Sequence, residues 1–205
     1  ELHFLADPCV CSLDFYQVLQ TGKGDRMSQH ERYEKGGIGR WYWDYRDRAA
    51  LSFIGEGPML DVGCGEMITT RKIPGAFGID LDRGDVRGSV YDLPFKTDTF
   101  GTVLLLEVIE HLKRPWRALQ EIHRVLKPGG KIIVLFPNDR TFKVAWFLFG
   151  MWGEIGRNRG HIWQWKPLTV WAGLYLSRFN NFKTRSIPFR FWPLSLHHII
   201  VGEKC

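Results

Sequence analysis

The segment from Pro58 to Gly65 constrains this chain more than any other. Pro58 to Val62 is a short apolar run, and Gly63-Cys64-Gly65 follows it at once. A brief apolar run bounded by glycines reads as a buried strand opening into a tight turn. Glycine lets the backbone of such a turn approach a ligand closely, because no Cβ intervenes. Further along, Ala76 to Leu81 reads as a second strand ending in Asp80, and Gly88 to Tyr91 as a third. Phe100 to Leu106 is continuously apolar, as the centre of a parallel sheet requires. Leu112, Trp116, Leu119, Ile122 and Leu126 then recur at helical spacing until Lys127-Pro128-Gly129-Gly130 stops them. Lys131 to Phe136 is a fifth strand.

Strands alternating with helical segments predict an α/β domain with a parallel sheet. Upstream, Trp41, Tyr45, Ala49 and Phe53 share one face of a helix over 40–53. Downstream, 138–165 forms an insertion, and Pro167 to Phe179 is a helix with proline in its first turn. Phe182 to Phe189 and Leu196 to Glu203 close the chain as an antiparallel pair at the sheet edge. The chain has 205 residues, 44% hydrophobic and 24% charged, which suits a single soluble globular domain over 1–205. Residues 1–54 are its N-terminal cap segment and 138–165 its lid. No stretch is long and apolar enough for a membrane span, and residues 1–4 show no secretory signal. The four cysteines (Cys9, Cys11, Cys64 and Cys205) form no CxxC pair. Free thiols and a cytoplasmic location, peripheral to a membrane at most, are the expectation.

In open α/β sheets, ligands bind beyond the carboxyl ends of the strands. Gly63 and Gly65 stand at one such end. Asp80 stands at the next, where a carboxylate accepts hydrogen bonds from ribose hydroxyls. The turn before Leu93-Pro94-Phe95 follows the third. A dinucleotide fold shares this plan, but its GxGxxG pattern is absent: Glu66-Met67 follow the glycine pair. Asp61 also lies within the strand, two residues before the first glycine.

Taken in order, these segments resemble the class I S-adenosylmethionine (SAM)-dependent methyltransferases, in particular the type 11 branch that includes quinone-biosynthesis enzymes. Leu60 to Gly65 resembles the family's first motif and Gly78-Ile79-Asp80 its second. Asp92-Leu93-Pro94-Phe95, Glu107 to Leu112 and Arg124 to Gly130 are similar to the segments around its fourth strand and following helix. The resemblance implies a Rossmann-like fold with seven strands, mostly parallel, in the order 3-2-1-4-5-7-6. It implies that Asp61, Gly63, Cys64 and Gly65 surround the methionine part of SAM. Asp80 and Leu81 then hold ribose and adenine, Ser89 and Val90 face the adenine edge, and Leu106 and Glu107 line the floor near the methyl group. The product is S-adenosylhomocysteine. Three departures stand out: Ser89 where the family often has aspartate, Met67 where a glycine is common, and connections too short for a helix after the second strand.

His111 and His161 are the candidate general bases, since imidazole titrates near neutral pH. No metal is expected. The alternative is a divalent-metal site: Glu107, Glu110 and His111 would share a face if a helix has begun, and His161 would complete it. That arrangement resembles the Glu-x-x-Glu-His set of small-RNA 2′-O-methyltransferases.

Charge separates the two ends of the chain. Residues 1–139 carry 18 Lys/Arg against 20 Asp/Glu, whereas 140–205 carry 10 against 2 and six of the nine tryptophans. A basic, aromatic region suits an anionic membrane surface, nucleic acid or an acidic ligand. The apolar stretch from Phe142 to Trp152 suits a lid or an interfacial helix. The reading is therefore methyl transfer to a small-molecule or lipid-like acceptor. An RNA methyltransferase and a non-catalytic SAM-binding partner subunit are the alternatives.

Overall fold

The computed structural model describes residues 28–148, 161–162, 165–191 and 194–205. Cys9, Cys11, Trp152, Trp163, Trp192 and half of the expected lid lie outside them.

Two helices lead, α1 (Gln29–Glu34) and α2 (Gly37–Leu51). Ser28 caps α1 with a reciprocal capping box to Glu31. The sheet strands are β1 (Met59–Val62), β2 (Ala76–Asp80), β3 (Val86–Arg87), β4 (Phe100–Leu106) and β5 (Leu126–Pro137). Helix α3 (Pro115–Val125) precedes β5, and α4 (Asp139–Leu148) and α5 (Pro167–Leu176) follow it. The chain ends with β6 (Phe179–Ile187) and β7 (His197–Lys204).

All seven strands form one sheet in the order β3-β2-β1-β4-β5-β7-β6. Strands β1 to β5 pair in parallel, and β7 runs antiparallel to both β5 and β6. This is the expected Rossmann-like order. The central strands are largely apolar because both faces are covered. Val103, Leu105, Ile132, Val134 and Phe136 point to the face where Leu119, Ile122 and Val125 of α3 and Val170 and Leu174 of α5 pack. Leu104, Ile133 and Leu135 alternate to the other face, under Ala49 and Ala50 of α2. Each such fully buried side chain contributes about 1.5–3 kcal/mol of transfer free energy.

The structure corrects several expected elements. The third strand is Val86–Arg87, not Gly88 to Tyr91. Gly88 donates to the Asp80 carbonyl at 3.0 Å, and the chain then turns, with a Ser89–Asp92 bridge. The fourth-strand helix starts at Pro115, not Leu112, because Ile109–His111 forms a separate 3-10 turn and proline sets the first helical position. Trp116, expected in the core stripe, is 47% exposed. Leu126 to Gly130 lies within the span of β5 rather than in a stop, with Gly129 at φ 73°. Helix α5 ends at Leu176, short of Phe179, as Arg178 enters the left-handed region at φ 66°. The missing helix after β2 is confirmed. The β1–β2 connection is likewise reduced, to a 3-10 turn at Thr70–Lys72. No helix among the described residues is long and apolar enough to cross a membrane.

Candidate active site

The glycine turn is held from below. Gly63 and Cys64 donate to the Ile79 carbonyl at 2.8 and 3.3 Å, and Gly65 donates to Asp80 Oδ2 at 3.0 Å. Asp80 Oδ1 accepts from the Asp82 amide at 3.2 Å, so the carboxylate ties the ends of β1 and β2 together. Gly63 adopts φ 75°, and a Cβ there would lie 2.4 Å from Val108 Cγ2. Gly65 adopts φ 53°, and its Cβ would lie 2.8 Å from Gln29 Oε1. Gln29 and His30 of helix α1 therefore lie against the turn. The His30 amide donates to Glu66 Oε2 at 2.5 Å, and Arg83 pairs with the same carboxylate.

Asp61 is buried beneath the turn, where it accepts from Thr70 Oγ1 at 2.5 Å. Burial pushes its carboxyl up to about 6, against the pull of the Thr70 hydroxyl. Burial, with Asp61 and Asp80 adding to it, pushes the Cys64 thiol up to about 12, so this cysteine is a packing residue rather than a nucleophile. Leu81 is 42% exposed beside Asp80. Ser89 Oγ accepts from the Tyr91 amide at 3.2 Å, Val90 packs against the core, and Leu106 is half-buried.

A cavity of about 250 Å³ opens at the carboxyl ends of β4 and β5. Its walls include Tyr42, Trp43, Arg46, Glu107, Phe142, His161 and His197, so α2 and the start of α4 both contribute. Glu107, at φ 55°, turns away from the 3-10 turn that follows it. Its Oε1 takes Arg46 Nη1 and His197 Nε2, each at 2.6 Å. His197 Nδ1 meets the Tyr42 hydroxyl at 2.8 Å. Burial pushes the Glu107 carboxyl up, but Arg46 and then His197 outweigh it and hold the group well below the usual carboxylate range. Burial moves His197 down and Tyr42 up from their ordinary values. Arg46 is anchored on its other side by buried Asp47 at 3.0 Å, which also takes Thr69 Oγ1 and Lys72 Nζ.

The two expected bases sit apart from this chain of bonds. His111 and His161 pack edge to face with centroids 4.8 Å apart, and His161 Nδ1 lies 2.9 Å from Asp139 Oδ1. Of the four residues of the metal alternative, Glu110, His111 and His161 come together. Glu107 is held elsewhere by Arg46 and His197. The expected shared helix face does not form, because Glu107 precedes the turn instead of lying on it. Sequence reasoning missed Arg46, Asp47 and His197, and placed Tyr42 only within the N-terminal segment packed across the cofactor opening. The available signals were an Arg46-Asp47 pair beside an apolar helix face and a histidine inside an apolar terminal strand.

Strand order, glycine turn and terminal acid together define the fold of the class I SAM-dependent methyltransferases. Residues 60–134 match the family described as "Methyltransferase domain". Over 94 residues it is 32% identical to the chloroplastic 2-methyl-6-phytyl-1,4-hydroquinone methyltransferase 1 of Oryza sativa subsp. japonica, covering 46% of this chain and 27% of that protein. Over 63 residues it is 45% identical to a ubiquinone/menaquinone biosynthesis C-methyltransferase of a Ruegeria species, covering 29% of this chain and 25% of that one. The chain thus spans about a quarter of the length of these relatives. A SAM-dependent methyltransferase of Thermotoga maritima, described as a possible histamine N-methyltransferase, shares the fold. Its TM-score is 0.69 at 19% identity, covering 86% of this chain and 95% of that one.

The cofactor of this domain is S-adenosylmethionine. The residues present fit it. Gly63 and Gly65 leave the backbone bare where a Cβ has no room, the half-buried Asp80 carboxylate ends β2, and exposed Leu81 offers an apolar surface beside it.

Proposed function

We propose that the chain methylates a small acceptor carrying an ionisable hydroxyl, seated in the cavity between α2 and the ends of β4 and β5. The Glu107–His197–Tyr42 chain of hydrogen bonds carries this reading. Glu107 is ionised and accepts, so His197 Nε2 bears a proton and donates to it. Burial keeps His197 neutral, so Nδ1 holds a lone pair and the Tyr42 hydroxyl donates to it. The Tyr42 oxygen then offers its own lone pairs to a donor in the cavity.

S-adenosylmethionine supplies, when bound, an electrophilic methyl group on a sulfonium. The protein's part is to position and deprotonate. An acceptor hydroxyl gives its proton to the Tyr42 oxygen as the Tyr42 proton passes to His197 Nδ1. Glu107 stabilises the imidazolium that results, and Arg46 keeps Glu107 in place. Trp43 and Phe142 cover the apolar part of the acceptor and exclude water. A dry cavity of about 150 Å³ holds benzene, so about 250 Å³ has room for one substituted ring. The hydroquinone and quinone-pathway names of the relatives support such a ring. Exposed Leu168, Phe189 and Phe191, with exposed Lys166 and Arg190 close by in sequence, favour work at an anionic lipid surface.

The test is incubation with SAM and a panel of phenols, catechols and hydroquinones with and without prenyl tails. Release of S-adenosylhomocysteine and a product heavier by one methylene is the expected result, lost in H197N. Tight SAM binding with no turnover on any of them would sink the reading.

A further inference from the structure

Glu110 is the most conspicuous side chain beside the cavity that the relay leaves unused. It is 1% exposed, and neither carboxylate oxygen has a hydrogen-bond partner. Native interiors rarely leave a carboxyl in that condition unless a ligand satisfies it. Its neighbours are two imidazoles. His111 follows it on the same 3-10 turn, and His161 is brought to the turn by its own chain, where the Ile162 amide donates to the Glu110 carbonyl at 2.8 Å. One ligand atom from each of Glu110, His111 and His161 lies within 4.8 Å of the other two.

We propose that Glu110, His111 and His161 form a divalent-metal site, with Asp139 as the residue that orients His161. Asp139 Oδ1 and Oδ2 lie 2.9 and 3.1 Å from His161 Nδ1. A carboxylate there makes Nδ1 the protonated nitrogen and leaves the lone pair on Nε2, the usual arrangement behind a metal-ligating histidine. Two imidazoles and one carboxylate suit a first-row transition ion such as Zn²⁺, Mn²⁺ or Co²⁺. Mg²⁺ and Ca²⁺ favour all-oxygen shells. Bonds of about 2.1 Å in a tetrahedron place ligand atoms roughly 3.4 Å apart, so the three side chains close on the ion by about an ångström. Three protein ligands leave a coordination position open, and His161 also lines the acceptor cavity. The ion would hold an acceptor oxygen at that position, a role that rests on the methyl-transfer reading. The site itself does not.

The test is a titration of chelator-treated protein with Co²⁺, reading its visible d–d absorption, with Zn²⁺ as competitor. The expected result is one Co²⁺ per chain, displaced by Zn²⁺. E110Q and H161N should weaken it at least tenfold, and D139N about 10–100-fold. E110Q keeps the shape of the residue and removes a buried unpartnered acid, so its metal-free form should melt no lower than wild type. That establishes that the variant folds. Absence of stoichiometric binding, or binding unchanged in both E110Q and H161N, overturns the site. Binding that depends on Glu110 without any change in turnover overturns the role of the ion and leaves both the site and the transferase standing. Failure of every acceptor with and without metal overturns the transferase reading, while the absorption still decides the site.

Discussion

Gly63→Ala separates two costs that the glycine turn avoids. The first is conformational: Gly63 sits at φ 75°, where a residue with a Cβ loses about 1–2 kcal/mol. The second is steric. The new Cβ would lie 2.4 Å from Val108 Cγ2 and 3.2 Å from Cγ1, so Val108 must move, and overpacking of this kind costs about 1–3 kcal/mol. Together they predict a loss of roughly 2–5 kcal/mol, or about 4–20 °C in melting temperature for a chain of this size. Val108 also follows Glu107 directly, so moving it disturbs the carboxylate that joins Arg46 to His197. Turnover should fall by more than the unfolded fraction explains. Thermal and urea unfolding of wild type, G63A, V108A and the double variant form a cycle that isolates the contact. The steric part should return in the double variant as a favourable coupling of about 1–3 kcal/mol, and the backbone part should remain. A G63A loss below about 1 kcal/mol would refute both costs. A full loss with no coupling would refute the assignment to Val108.

Replacing His197 by asparagine should lower kcat/KM by about 10²–10⁴, the usual share of a positioned base. Because burial shifts the His197 imidazole below its ordinary 6.5, the wild-type rate should hold down through that pH and fall only below it; H197N should lack that acidic limb. Asp61 titrates at about 6 when folded against 3.8 when free, so the folded protein binds the extra proton and stability declines as pH rises from about 4 to 6. D61N should flatten that decline by up to about 3 kcal/mol, and an unchanged profile in calorimetry would exclude Asp61 as its source. Iodoacetamide at pH 8 should label exposed Cys205 well before Cys64, with peptide mapping as the readout. Vesicles rich in anionic lipid should sediment the protein at low salt and release it at high salt. Absence of sedimentation at low salt would remove the lipid surface from the proposal.

The elements that could be read from sequence are those whose side chains answer to one local rule. Strand β4 matches its expected span from Phe100 to Leu106 because burial on both faces leaves Thr102 as its one polar side chain. The glycine turn is legible because only glycine tolerates both the φ of residue 63 and the approach of Val108. The start of α3 was misplaced because Leu112 keeps helical spacing while belonging to a separate turn. Periodicity records which side chains face inward, not which backbone bonds hold them.

The site divides along the same line. Asp80 belongs to one strand end and could be found there. The relay is built from α2, the end of β4 and the start of β7, so no window of sequence contains it. His197 reaches Glu107 because β7 pairs antiparallel with β5 in a register that sets His197 opposite Pro137, at the end of the strand beside β4. Shifting that register by one residue would aim His198 at the cavity and send His197 to the opposite face. His198 occupies that opposite face, with Ser186 Oγ 3.0 Å away. Two adjacent histidines therefore have unlike roles, set by the pleat of the strand. The same long-range pairing explains why Glu107 was expected among metal ligands. Its spacing to Glu110 and His111 is right for a helix, but its left-handed backbone and the pull of Arg46 and His197 direct it into the acceptor cavity. Glu110, left without that partner set, faces the two imidazoles instead.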